Sequence, residues 1–164
     1  MWKNKAALLV QNPLAQYVMR LVVRLVIPRS RVGVAVVAVN DATEVFMVRH
    51  VFHPGYEWGL PGGWLNRNEA PADGALRELR EETGLTAKLG PAVAVQHDPV
   101  SAYIGIAYVA KLHPGNLQLS HELTDARWFA YDALPQPITR HTKVAIDAAV
   151  AYPKNMGIGE LNQA

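Results

Sequence analysis

At 164 residues the chain supports a single sizeable hydrophobic core. It has no cysteine, which excludes a disulfide framework and any thiolate metal site and fits a cytoplasmic protein. Its net charge of +2 is unevenly spread: Lys3, Lys5, Arg20, Arg24, Arg29 and Arg31 meet no acidic residue in the first 31 positions, leaving ten basic against fourteen acidic residues, net −4, for the rest.

Residues 1–30 therefore read as a basic, apolar N-terminal segment. Between Leu14 and Ile27, Arg20 and Arg24 stand at i,i+4, while Leu14, Tyr17, Val18, Leu21, Val22 and Leu25 make a broad apolar face, the spacing of a helix. The run is too short and too charged to span a bilayer, and it lacks the small-residue cleavage site of a secretory signal. Three readings stay open: packing on the rest of the chain or across a homodimer, peripheral attachment to an anionic membrane, or contact with nucleic acid or another polyanion.

From residue 31 onward the pattern changes. Val32 to Val39 is an almost unbroken β-branched run, a strand buried on both faces. A turn at Asn40 to Thr43 leads to a second strand, Glu44 to His50. After a loop over 51–58, Leu60-Pro61-Gly62-Gly63 punctuates the chain. Proline fixes φ there, and two glycines permit close backbone approach, so a bare carbonyl can be aimed at a metal. A helix is predicted from Pro71, suited to the first turn, to Thr83, with Gly84 ending it. Ala75, Leu76 and Leu79 form its apolar stripe. Gly74 interrupts that helix, and close packing against a strand is the expected reason. Strands are predicted over Ala92–Gln96, Ala102–Lys111 and Ala126–Tyr131, and a last helix over Thr139–Tyr152. The tail, residues 153–164, reads as loose. Interleaved strands and helices over 31–152 predict a mixed sheet between helices.

The chemistry concentrates in Arg77-Glu78-Leu79-Arg80-Glu81-Glu82-Thr83-Gly84-Leu85. Glu78, Glu81 and Glu82 stand at i, i+3 and i+4, on one side of the helix, where like charges repel by a few tenths of a kcal/mol per pair. A hard cation such as Mg²⁺ or Mn²⁺ would neutralise the cluster. Ions held there would lower the pKa of a bound water.

Gly63, five residues, Glu69, seven residues, then Arg77 through Leu85 resembles the complete signature of the Nudix hydrolases, with no fixed position departing from it. The resemblance implies an α/β (α+β) fold, an α/β/α sandwich with a mixed central sheet, here with the extra N-terminal segment. It also implies metal-dependent hydrolysis of a pyrophosphate bond in a nucleoside diphosphate linked to another group. Glu81 and Glu82 are then the principal metal ligands, with the Gly63 carbonyl beside them. Glu78 is either a further ligand or the group that orients and deprotonates water. Arg77 joins Glu78 and Glu81 in the catalytic set and pairs with Glu69, fixing the helix against the preceding loop. A fourth acidic ligand is expected from Glu122, ahead of Arg127-Trp128-Phe129, with Asp98 as second candidate. The missing cysteines exclude a zinc-ribbon extension and the cysteine-dependent isopentenyl diphosphate isomerase chemistry of similar folds.

Nucleobases stack on aromatic rings, so Tyr56, Trp58 and Tyr103, with Tyr108, are candidate substrate contacts. Tyr103 stands 18 positions after Leu85, a spacing that resembles the mark of the diadenosine-polyphosphate subgroup. His50, His53 and His97 are candidates for contact with substrate phosphate. The alternative function is a non-catalytic Nudix-like sensor of ADP-ribose or a nucleotide sugar, although such domains often lose the carboxylates that are all kept here.

Overall fold

The computed structural model describes residues 12–26, 30–99 and 102–152. The expectation of a loose tail at 153–164 lies outside them. The chain forms two compact units, residues 1–30 and 31–164. In the first, helix α1 (Pro13–Val26) starts at Asn12, whose Oδ1 accepts from the Leu14 N–H at 2.9 Å, with proline at the first helical position.

Among its described residues the second unit holds seven strands and two helices. In chain order these are β1 (Arg31–Ala38), β2 (Glu44–His50), β3 (Trp58–Gly59), β4 (Gly62–Trp64), α2 (Pro71–Thr83), β5 (Ala87–Asp98), β6 (Tyr103–Leu112), β7 (Leu123–Ala130) and α3 (Arg140–Ala151). A short 3₁₀ turn, Tyr131–Ala133, precedes α3. One sheet has the order β4-β1-β6-β5, with β1 and β6 parallel and the other pairs antiparallel. The other has the order β3-β2-β7 and is antiparallel. This is the mixed α/β/α sandwich expected.

The unbroken apolar run of β1 follows from its position between two layers. Val34 and Val36 face α2 and pack with Ala75 and Leu79. Val37 points the other way, into a cluster with Val45, Met47, Val109, Ile146 and Ala149 of β2, β6 and α3. Strand alternation thus gives each helix its own core.

Several boundaries moved. Strand β5 runs from Ala87 to Asp98, well beyond Ala92–Gln96, because the Gly90-Pro91 pair is taken up by register shifts between Leu89, Ala92 and Ala94 rather than ending the strand. Strand β7 begins at Leu123 rather than Ala126, since Arg49 and His50 of β2 continue to pair with Asp125 and Leu123 across a bulge. Helix α2 keeps both expected ends. Gly84 closes it in the left-handed region (φ 70°), its N–H donating to the Arg80 carbonyl.

Gly74 packs against a different partner from the strand expected. A Cβ there would lie 2.3 Å from Leu65 Cδ2 and 3.1 Å from Glu69 Oε2, so the helix leaves space for the loop that follows β4.

Candidate active site

The two glycines of β4 are required by what lies on either side of them. A Cβ on Gly62 would fall 2.2 Å from the Val34 carbonyl oxygen, inside the β1 ladder. One on Gly63 would fall 2.5 Å from the Glu78 carboxyl carbon. Strand β4 is therefore threaded between β1 and the acidic side of α2. The Gly62 N–H donates to Glu82 Oε2 at 2.9 Å, tying that loop to the helix.

Glu82 is 6% exposed. Burial pushes its carboxyl up to about 7 against the Gly62 hydrogen bond, and the nearby Glu78 and Glu122 charges push it the same way. Glu122 arrives from the connection between β6 and β7, which is pinned to the end of α2. There the Gln118 N–H donates to the Thr83 carbonyl and the Ser120 N–H to that of Glu82, both at 2.9 Å. On its other side, the Val51 N–H donates to the Glu122 carbonyl at 2.9 Å.

Arg77 organises the opposite flank. Its Nε and Nη2 donate to the two carboxylate oxygens of Glu69 at 2.7 and 3.0 Å, and Nη2 also reaches the Trp64 carbonyl at 3.1 Å. Its Nη1 donates to Glu78 Oε1 at 2.8 Å and to Glu81 Oε2 at 2.9 Å. The fork of a guanidinium suits this bridging, which a lysine could not reproduce. Glu69 also accepts from the Asn66 N–H. The Arg77 hydrogen bonds first, and the Asn66 N–H second, hold the Glu69 carboxyl down to about 2.

These contacts divide the acidic set. Glu78 and Glu82 line a cleft of about 620 Å³ together with Gly63 and Glu122. Glu81 is 60% exposed and turned to Arg77, outside the cleft lining. Among the described residues no three His, Asp or Glu side chains gather closely enough to hold one ion in this arrangement. The donors are nevertheless all oxygen, the chemistry a hard divalent cation takes. Asp98, at the end of β5, does not line the cleft.

The other wall is aromatic. Tyr56, Trp58 and Tyr103 all line the cleft, as do His50 and His53. Trp58 packs edge-on against Phe129 at 4.8 Å and so belongs partly to the core. Tyr103 stands between Trp64 and His141, with ring centroids at 5.3 and 5.9 Å. Burial of Tyr103 and the Asp98 charge raise its phenol. Burial, with neighbouring His53, brings His50 down to about 4.

Tyr108 and His97 do not reach the cleft. Tyr108 packs with the α2 cluster, on the other face of β6, and His97 is exposed. Trp64, Phe52 and His141 line it unannounced. Trp64 directly follows the glycine pair, which is a usable signal. His141 is brought in by the packing of α3 and carries none.

The family model described as the NUDIX domain matches residues 29–150. The NAD-capped RNA hydrolase NudC of Pectobacterium carotovorum is 30% identical over 129 residues, covering 74% of this chain and 50% of that protein. The ADP-ribose pyrophosphatase of Methanocaldococcus jannaschii is 30% identical over 94 residues, covering 55% of this chain and 56% of that protein. The chain spans about half the length of these curated relatives. Among solved structures, the MutT NUDIX hydrolase from Burkholderia pseudomallei has a TM-score of 0.67 at 26% identity, covering 74% of this chain and 98% of its own. A UDP-X diphosphatase has a TM-score of 0.66, also at 26% identity, covering 82% of this chain and 68% of its own.

Proposed function

The chain belongs to the Nudix family, and from that premise we propose that it is a metal-dependent pyrophosphohydrolase acting on a nucleoside diphosphate linked to another group. The observation that carries this reading is the meeting of Glu78, Glu82 and Glu122 in one cleft with Tyr56, Trp58 and Tyr103. A charged substrate with an aromatic end asks for that combination. Relatives named for NAD-capped RNA, ADP-ribose and UDP-X hydrolysis share the same substrate class.

In this proposal Glu78, Glu81, Glu82 and Glu122, with the Gly63 carbonyl, hold Mg²⁺ or Mn²⁺. Such an ion, when bound, screens the phosphate charges and makes water a better nucleophile. Glu78 either completes the ligand set or orients and deprotonates the attacking water. Its hydrogen bond to Arg77 sets the direction in which its carboxylate faces. Arg77 and Glu69 act by position, clamping α2 to the loop that carries Gly63. The aromatic wall receives the base and excludes water from that end.

The test is a substrate panel in Mg²⁺: ADP-ribose, diadenosine polyphosphates, dNTPs and their oxidised forms, nucleotide sugars and NADH. The expected result is cleavage at a phosphoanhydride of at least one compound, abolished by a chelator. A flat panel at high enzyme concentration overturns the proposal and favours a binding-only sensor.

A further inference from the structure

Helix α1 holds much of its apolar surface in solvent. Leu14, Tyr17 and Met19 are 70%, 66% and 60% exposed, and Val18, Leu21, Val22 and Val23 are close to half exposed. At about 100° per residue, Leu14, Val18, Leu21 and Val22 fall within one arc of roughly 100°. Met19 and Val23 extend that arc on one side. Arg20, also exposed, lies roughly opposite Val18. Tyr17 occupies the border between Arg20 and Leu21, where a ring with an apolar body and a polar tip fits an interface.

The chemistry of the segment selects among occupants for this face. Fourteen residues span about 21 Å, short of the roughly 30 Å of a bilayer core. Among the described residues no helix is long and apolar enough to cross a membrane. A second copy of α1 would cover apolar surface, but the first 31 residues contain six cations and no acid, so two such arms have no ion pair to exchange. A nucleic acid would answer the cations and leave the apolar arc wet. The surface of an anionic bilayer satisfies both, taking the apolar arc among acyl chains and the cations at the headgroups.

We propose that α1 is a peripheral membrane anchor that lies in the surface of an anionic bilayer with its Leu14–Val18–Leu21–Val22 face inward. The remaining residues carry net −4 and are repelled by such a surface, so attachment is a property of the arm. The proposal stands independently of the substrate assignment.

The test uses the full chain with vesicles of phosphatidylcholine alone and of phosphatidylcholine mixed with phosphatidylglycerol, read by flotation. Partition onto the anionic vesicles should be at least about tenfold stronger. The paired substitution Leu14→Asp and Leu21→Asp should weaken it by about tenfold or more, with hydrolysis of a soluble substrate unchanged. Arg20→Glu should reduce the preference for anionic over neutral lipid. The proposal is overturned if the full chain stays with the buffer. It also fails if the paired variant floats as well as the parent, or if equal binding to both vesicle types appears. A dimer in sedimentation velocity that dissolves in the paired variant, without vesicle binding in the parent, would assign the face to self-association instead. Vesicle binding displaced by single-stranded RNA, and lost in Arg20→Glu but kept in the paired variant, would assign the arm to nucleic acid.

Discussion

Gly62 donates its backbone N–H to the carboxylate of Glu82, twenty residues further along the chain, at 2.9 Å. The same glycine has no room for a side chain, because the obstacle is the Val34 carbonyl in a paired strand and cannot rotate away. Gly62→Ala should therefore displace β4 and destabilise the fold by about 3 kcal/mol or more, the range of severe overpacking. Urea unfolding measures this, and near-parent stability would show that β4 can shift without loss.

Glu82 illustrates a conflict between stability and chemistry. Its carboxyl is raised to about 7 by burial and by Glu78 and Glu122, so the folded state holds a proton that the unfolded state has released at its ordinary 4.5. Stability therefore falls as pH rises from about 4.5 through 7. Glu82→Gln keeps an acceptor for Gly62 and removes the charge. Without divalent ions at pH 8 the variant should be more stable than the parent by about 3 kcal/mol, a gain that shrinks as pH falls and is lost below about 4.5. Thermal unfolding with and without Mg²⁺ tests it, since added Mg²⁺ should stabilise the parent and not the variant.

Glu81 makes a separate prediction, because it is exposed and paired with Arg77 rather than buried. Glu81→Gln should leave stability within about 0.5 kcal/mol, as for most surface changes. Turnover should fall at least about a hundredfold if Glu81 ligates the metal as proposed. Steady-state rates across a Mg²⁺ titration decide it; unchanged turnover removes Glu81 from the ligand set.

Glu69 contributes to the pH response at the acid end. Its folded carboxyl titrates near 2 against an ordinary 4.5, through the Arg77 and Asn66 hydrogen bonds. The folded state thus binds fewer protons over that window. The Glu69 contribution is fully present above about 4.5 and is lost as pH falls toward 2. Glu69→Gln should lower stability above about pH 5, where that contribution is complete, and flatten the dependence of urea midpoints on pH between 5 and 3.

Much of this site is local in sequence, and that part could be read directly. Pro71 and Gly84 mark the two ends of α2 because capping depends on neighbouring residues alone. Strand β2 has the predicted bounds for the same reason, lying between a turn and a loop. What depends on distant partners was not legible. The Gly90-Pro91 pair signals a turn by composition, yet the sheet absorbs it as a bulge once β6 is alongside. The spacing of Glu78, Glu81 and Glu82 shows that they share a helix side. It does not show that one guanidinium draws Glu81 outward while Gly62 holds Glu82 inward. His141 enters the cleft only through the docking of α3.

Tyr103 provides the last prediction. Its ring lies over a gap made by two glycines facing each other in register on β1 and β6: a Cβ at Gly105 would come within 3.3 Å of the ring and one at Gly33 within 3.7 Å. Two missing side chains on adjacent strands leave room for the edge of the ring, which lines the cleft with Trp64 in a T-shaped contact beside it. If the ring receives the nucleobase, Tyr103→Ala should raise KM about tenfold with kcat little changed, since stacking on a non-reacting end is shared by ground and transition states. Tyr103→Phe should keep the parent KM. A Tyr103→Ala variant that loses thermal stability while retaining KM would instead mark the tyrosine as filler for the glycine gap, and would move the base to the Tyr56 side.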